Sequence, residues 1–80
     1  MTDREATVIV EKRRDELQID PEMACESAER AIVAHKESPD EPGPTEDRVA
    51  WLVTYACEWG TVTVYVDDAS GEVLRVRRSA

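Results

Sequence analysis

The C-terminal part of the chain constrains the fold most, because its apolar and polar side chains alternate. Three segments rich in β-branched residues, Val49–Cys57, Thr61–Val66 and Glu72–Arg77, are separated by the short connections Glu58–Gly60 and Asp67–Gly71. A period of two is typical of a strand with one buried face, and short connections join strands that pair with each other. The sequence therefore predicts an antiparallel meander.

The last of these segments has the character of an edge strand. Leu74 and Val76 are expected to face the core, with Arg75 and Arg77 facing solvent. Charged side chains on an edge discourage pairing with other molecules. The turn before this strand ends at Gly71, a residue that is free to take a positive φ.

The N-terminal segment carries the signals of an amphipathic helix. Thr2 and Glu5 have the spacing of a capping box. The apolar residues that follow at helical spacing are Ala6, Ile9, Val10 and Leu17. We predict a helix over residues 3–17 that packs on the sheet, although the β-branched run Thr7–Val10 would suit a strand equally well.

The segment after residue 19 allows two interpretations. Asp20 and Pro21 form a helix-start signal, and alanines continue at helical spacing, so a second helix of about four turns is one of them. The other is a short turn followed by a strand over Arg30–Lys36. Local propensity favours the helix, and the sequence leaves the choice open over residues 28–37.

Acidic residues are concentrated in the first part of the chain. The formal charge is −8, and residues 1–47 hold 14 acidic and 6 basic residues. Within them, Glu37–Asp47 is rich in proline and acid, so it is expected to be an exposed, mobile loop. This charge disfavours nucleic acid and anionic membranes and favours a basic protein partner.

The size and composition of the chain argue against catalysis and metal binding. Eighty residues make one small domain with a thin core, which leaves little room for a deep substrate cavity. Cys25 and Cys57 are expected to be buried thiols, and His35 is expected to be a partly exposed residue at the end of its element. No catalytic, cofactor-binding or metal-binding residues are predicted. The absence of an apolar span or a signal segment predicts a cytoplasmic protein.

The four aromatic residues are the most informative candidates for a contact surface. Trp51 and Tyr55 fall on one face of a strand, while Trp59 and Tyr65 flank the connection after it. If Leu52 faces the helix, the sheet exposes two large rings on its other face. In the alternative, Trp51 and Tyr55 face the core, and the sequence does not decide between the two.

The residues Trp51–Tyr55 and Val64–Leu74 resemble a PepSY-type domain, in which a strand, an Asp, a Ser-Gly turn and a strand beginning Glu-Val follow one another. The opening Thr2–Ala6 is similar to the helix start of the same group. The order of elements also resembles small YrhB-like bacterial proteins, which are grouped with immunity proteins. The resemblance implies a cystatin-like α+β fold, a strand over residues 30–36, and a role in binding such as inhibition or toxin neutralisation.

A non-enzymatic protein-binding module, for example an inhibitor or an immunity-type protein, is the function that these features predict. The candidate contact residues are the aromatic residues Trp51, Tyr55, Trp59 and Tyr65, and the acidic residues Asp40, Glu41, Glu46 and Asp47. The alternative is a structural homodimer that buries its aromatic face and has no other partner.

Overall fold

The structure, a computed structural model, describes residues 1–35 and 46–79, which form one helix and a four-stranded sheet. The elements are α1 (Asp3–Glu11), β1 (Ala24–His35), β2 (Glu46–Cys57), β3 (Gly60–Asp67) and β4 (Val73–Ser79). The strands lie in the order β1-β2-β3-β4, and each is antiparallel to its neighbour. The predicted α+β fold, with an N-terminal helix packed on an antiparallel meander, is confirmed.

Helix α1 begins as predicted but ends earlier. The Thr2 side chain accepts a hydrogen bond from the backbone of Glu5, and the Glu5 side chain accepts one from the backbone of Thr2, so the capping box is present. The helix ends at Glu11 rather than at residue 17, and residues 12–18 form turns in which Gln18 has a φ of 57°. These turns reverse the chain and bring Ile19 back into the core.

The second predicted helix is absent, and the strand interpretation is correct for this segment. Asp20 and Pro21 lie in a turn closed by a 3.0 Å hydrogen bond from the Met23 amide to the Asp20 carbonyl. Strand β1 then begins at Ala24, earlier than the predicted Arg30. Pairing with β2 along the length of β1 satisfies the backbone groups that face β2, and this tertiary interaction outweighs the weaker preference of the alanines for a helix.

The core lies between α1 and one face of the sheet. It consists of Ala6 and Val10 from α1, Ile19 and Met23 from the following connection, Val53 and Tyr55 from β2, and Val62, Val64 and Val66 from β3. The predicted alternation of valines on β3 is therefore confirmed. Two faces of the sheet can be distinguished, and we call the one that packs on α1 the helix face and the opposite one the outer face.

The pairing of β3 with β4 is interrupted by a bulge that changes the predicted orientation of Leu74. Val76 pairs with Val64 on the helix face, as expected, but the register shifts between Tyr65 and Val66. Leu74 consequently lies with Tyr65 on the outer face, beside a shallow hollow, and the expectation that it faces the core is wrong. An extra residue in one strand reverses side-chain parity beyond it, which periodicity alone does not reveal.

Candidate protein-binding face

The packing of β2 decides which of its two faces is buried. Val53 and Tyr55 belong to the core, and Trp51 packs against it, so these three side chains lie on the helix face. Leu52 and Thr54 alternate with them and therefore lie on the outer face. Of the two interpretations that the sequence left open, the one with Trp51 and Tyr55 on the core side is correct.

Tyr55 is unavailable as a contact residue because its side chain is fully buried, with 0% exposed. Its hydroxyl donates a 2.9 Å hydrogen bond to the Glu11 carboxylate, and the Arg14 guanidinium lies 5.1 Å from the centre of its ring. Burial, together with the hydrogen bond to Glu11 and the charge of that carboxylate, raises the pKa of the Tyr55 hydroxyl well above its usual range. Tyr55 is thus a neutral core residue that joins the sheet to the end of α1.

Trp51 is partly buried on the helix face, where a hydrogen bond fixes it to the β3–β4 turn. Its indole Nε1 donates to Asp68 Oδ1 over 2.8 Å, and the N-terminal amine lies 3.7 Å from the same oxygen. The indole hydrogen bond and the nearby amine help lower the pKa of the Asp68 carboxyl. Trp51 thus anchors this turn from the helix face and is not part of the outer face.

The other predicted contact residues are scattered. Trp59, in the β2–β3 turn, is 54% exposed, and Tyr65 is partly buried on the outer face. Glu46 and Asp47 are exposed at the start of β2, so the strand includes the end of the predicted loop. Asp40 and Glu41 lie outside the described residues. The structure does not bring the four aromatic side chains together on one surface.

The outer face carries an apolar patch that extends across all four strands. Its members are Ala31 and Val33 from β1, Leu52 from β2, Tyr65 from β3 and Leu74 from β4. At one end Val33, Tyr65 and Leu74 line a hollow of about 320 Å³, to which His35 and Arg75 add polar groups. A second hollow of about 310 Å³ lies between Leu52, Tyr65 and Arg77 and includes several threonines.

Arginines flank this patch on the β4 side. The Arg75 guanidinium lies 5.7 Å from the centre of the Tyr65 ring. Two residues further along β4, Arg77 pairs with Thr63 of β3. Neither Arg75 nor Arg77 forms an ion pair within the described part of the chain, whereas Arg48 contacts Glu46 at 3.5 Å and Asp67 at 3.8 Å. The β4 side of the outer face is therefore locally basic, although the whole chain is acidic.

Sequence reasoning missed Leu52, Leu74, Arg75 and Arg77 as candidates for the contact surface. The alternation along β2 contained the signal for Leu52, since it places Leu52 and Trp51 on opposite faces of the strand. The position of Leu74 depends on the bulge in β4, for which the sequence gives no local signal. The two arginines were correctly expected to face solvent but were interpreted only as protection of an edge.

The β3–β4 turn is organised by the buried carboxylate of Asp67. Its Oδ2 accepts hydrogen bonds from the Ser70 hydroxyl (2.8 Å) and the Ser70 amide (2.9 Å), and Gly71 has a φ of 75°, as predicted. The Ser70 hydroxyl is the main cause of a lowered pKa of the Asp67 carboxyl; the Ser70 amide and Arg48 act in the same direction, whereas burial opposes them. Asp67 and Ser70 therefore have a structural role, which is to hold the turn in its conformation.

Replacing Ser70 with alanine is expected to lower the free energy of unfolding by about 1 kcal/mol at neutral pH, because a charge-assisted hydrogen bond is lost. A carboxyl with a lowered native pKa stabilises the fold above its unfolded pKa and loses this effect as the pH falls through its native pKa. The difference between wild type and variant should therefore shrink below about pH 4. Urea unfolding at several pH values measures it, and a constant difference down to pH 2 would contradict the assignment.

The cysteines and the histidine do not form a reactive group. Cys25 is exposed and Cys57 is partly exposed, so the expectation of two buried thiols is wrong. Cys25 and His35 lie near opposite ends of β1, about 30 Å apart at the usual rise per residue. Cys57 is at the far end of β2 from the residue that pairs with His35. A Cys–His dyad is therefore excluded by the sheet, and His35 lies at the end of its strand, partly exposed, as expected.

Within residues 1–35 and 46–79, no three His, Cys, Asp or Glu side chains lie close enough together to hold a metal ion. Helix α1, with nine residues, is too short to cross a membrane, and no other helix is present in these ranges.

Comparison of the chain with protein-family models, with curated proteins and with solved structures finds no match. The resemblance to PepSY-type and YrhB-like domains therefore stays a prediction from the residues quoted above.

Proposed function

We propose that this protein is a non-enzymatic protein-binding module that binds an acidic segment of a partner protein on the outer face of its sheet. The observation that carries the proposal is the apolar patch of the outer face, which α1 leaves uncovered. The resemblance to PepSY-type and YrhB-like domains supports a role as an inhibitor or immunity-type protein, in which binding is itself the activity.

The apolar character of the outer face is unusual for a sheet surface in contact with water. Antiparallel sheets with one solvated face normally carry polar side chains on it. Here Leu52, Tyr65 and Leu74 lie next to one another on three adjacent strands and are each only partly buried. Contiguous apolar surface with a polar rim is typical of protein–protein contact sites.

The charges around the patch indicate the chemistry of the partner. Arg75 and Arg77 lie beside the patch without ion pairs among the described residues, and Glu29 is opposite Leu52 on the other side. Arginine is enriched at interfaces and binds carboxylates with two parallel hydrogen bonds. The face therefore favours an acidic and apolar partner segment, in contrast to the basic partner that the charge of the whole chain suggested.

Capture of partners from a source-cell lysate at low salt tests this function. Wild-type protein should retain a stoichiometric partner, and the double variant Leu52→Asp/Tyr65→Ala should bind it at least about tenfold more weakly, since a loss of 1.4 kcal/mol has this effect. Arg75→Glu/Arg77→Glu should slow association with the same partner, because steering by charge is lost.

The matched control is Val8→Asp/Trp59→Ala, which changes two exposed apolar residues away from the outer face. It should bind the partner as wild type does. Equal binding by the Leu52→Asp/Tyr65→Ala variant, with an unchanged circular dichroism spectrum, would reject the outer face as the binding surface.

A further inference from the structure

Strand β1 has an open edge within the described part of the chain. Among the described residues its only neighbour in the sheet is β2, so the opposite edge of this 12-residue strand has no strand partner. Half of the backbone groups of an edge strand point away from the sheet and can pair with another chain. Natural proteins usually shorten or guard such edges, for instance with charged residues, proline or bulges.

The two edges of this sheet differ in their protection. Strand β4 presents three exposed arginines over its short length. Strand β1 has a bulge near its start, between Cys25 and Ser27, but Ala31–Ala34 is an uncharged apolar run without one. Within this run Ile32 is 72% exposed, the largest exposure among the large apolar side chains of the described residues. The second half of β1 is thus an unguarded apolar edge.

We infer that the β1 edge pairs with β1 of a second copy of this chain, antiparallel and with a two-fold axis at Ile32. In this register Ile32 lies against Ile32 of the other copy, which removes both exposed side chains from water. Antiparallel pairing about Ile32 also sets Glu29 opposite His35, and the axis repeats this pair on its other side. In this register the apolar side chain at the axis and the polar side chains on either side of it therefore each have a partner.

Two other registers, with the axis at Arg30 or at Ala31, are less favourable. The side chains on β1 alternate between the two faces, and residues that face each other across a two-fold axis share a face. A two-fold axis at Arg30 would set two arginine side chains against each other, which is destabilising. An axis at Ala31 would set Glu29 against Val33 and leave its carboxylate without a partner on that strand.

The arrangement predicts a continuous eight-stranded sheet made of two four-stranded halves. Because facing residues share a face, both copies of α1 lie on one side, and both outer faces lie on the other. The outer faces stay accessible, so the dimer does not depend on the proposed function. It also differs from the homodimer considered in the sequence analysis, which buries its aromatic face. Two adjacent binding faces would increase the avidity for a repetitive or dimeric partner.

Sedimentation equilibrium of the purified full chain tests the dimer without any partner. Wild type should show a reversible monomer–dimer equilibrium. Ile32→Lys places two ammonium groups at the axis and should raise the dimer dissociation constant at least about a hundredfold, since like charges at an interface cost several kcal/mol. The control Trp59→Lys changes another exposed apolar residue, in the β2–β3 turn near the start of β1 and far from Ile32, and should associate as wild type does. A wild type that stays monomeric at millimolar concentration would overturn the inference.

Disulfide formation locates the axis. In a Cys25→Ser/Cys57→Ala background, Ile32→Cys should oxidise rapidly to a covalent dimer, because residues that face each other across antiparallel strands have Cα atoms about 5 Å apart, within the range of a disulfide. Ala31→Cys in the same background points to the other face, away from Ile32, and should cross-link much more slowly. Faster cross-linking through position 31, or equal rates at both positions, would overturn the register.

Discussion

Replacing Tyr55 with alanine should lower the free energy of unfolding by about 3–5 kcal/mol, as is typical for truncation of a large buried aromatic side chain. Its ring fills the space between α1, the following connection and β3, where its neighbours in the core include Val10, Ile19 and Val62. A chain of this length is expected to have a total stability of about 4–12 kcal/mol, so the variant should be largely unfolded on mild heating. Thermal and urea unfolding followed by circular dichroism measure the effect.

The conservative variant Tyr55→Phe separates the ring from its hydroxyl. It keeps the packed ring and removes only the hydrogen bond to Glu11, whose carboxylate is partly accessible to water. The expected loss is about 1 kcal/mol. A loss for Tyr55→Ala no greater than that for Tyr55→Phe would show that the ring does not stabilise the core.

Replacing Arg14 with alanine should lower the free energy of unfolding by about 2–4 kcal/mol, because several interactions of one guanidinium are lost together. Its Nη2 donates 2.8 Å hydrogen bonds to the carbonyl groups of Asp20 and Met23, and its Nη1 contacts Glu11 at 3.4 Å. The guanidinium also lies over the Tyr55 ring. It thereby holds the turn that leads from α1 into β1 against the core.

Arg13 provides the matched control, since it precedes Arg14 in the chain and its side chain pairs, among the described residues, with the exposed carboxylate of Glu16 alone. Exposed ion pairs of this kind contribute little, and Arg13→Ala should change stability by less than about 1 kcal/mol. Arg14→Lys should lose most of the stability that alanine loses, because a single ammonium cannot reproduce the planar fork. Equal stability of the Arg13→Ala and Arg14→Ala variants would contradict this role.

The role of Arg14 could not be predicted from the sequence. In the sequence it stands in a run of three basic residues, Lys12 to Arg14, within a predicted helix, where a solvated face is the ordinary interpretation. The helix ends at Glu11, and the turns that follow direct Arg14 back toward the Asp20–Met23 turn. Only the path of the chain after α1 distinguishes Arg14 from its neighbours.

Which face of β2 is buried could not be predicted from the sequence either. The alternation on β2 established that one of two faces is buried, yet both contain large apolar residues, Trp51 and Tyr55 on one and Leu52 on the other. The choice depends on which set fits against Val10 and Ile19. This fit depends on packing between segments that are distant in the chain. Periodicity within β2 therefore cannot show which face is buried.

Local chemistry in the sequence was sufficient to determine the capping box at Thr2, the meander of β2 to β4 and the Asp67–Gly71 turn, since each depends on residues close together in the chain. The tertiary structure alone decided that residues 24–35 form a strand, that Tyr55 lies inside and Leu52 outside, and that β1 has a single strand neighbour among the described residues. The physical reason is that strand pairing and core packing join segments far apart in sequence, and their free energy exceeds the small differences in local propensity.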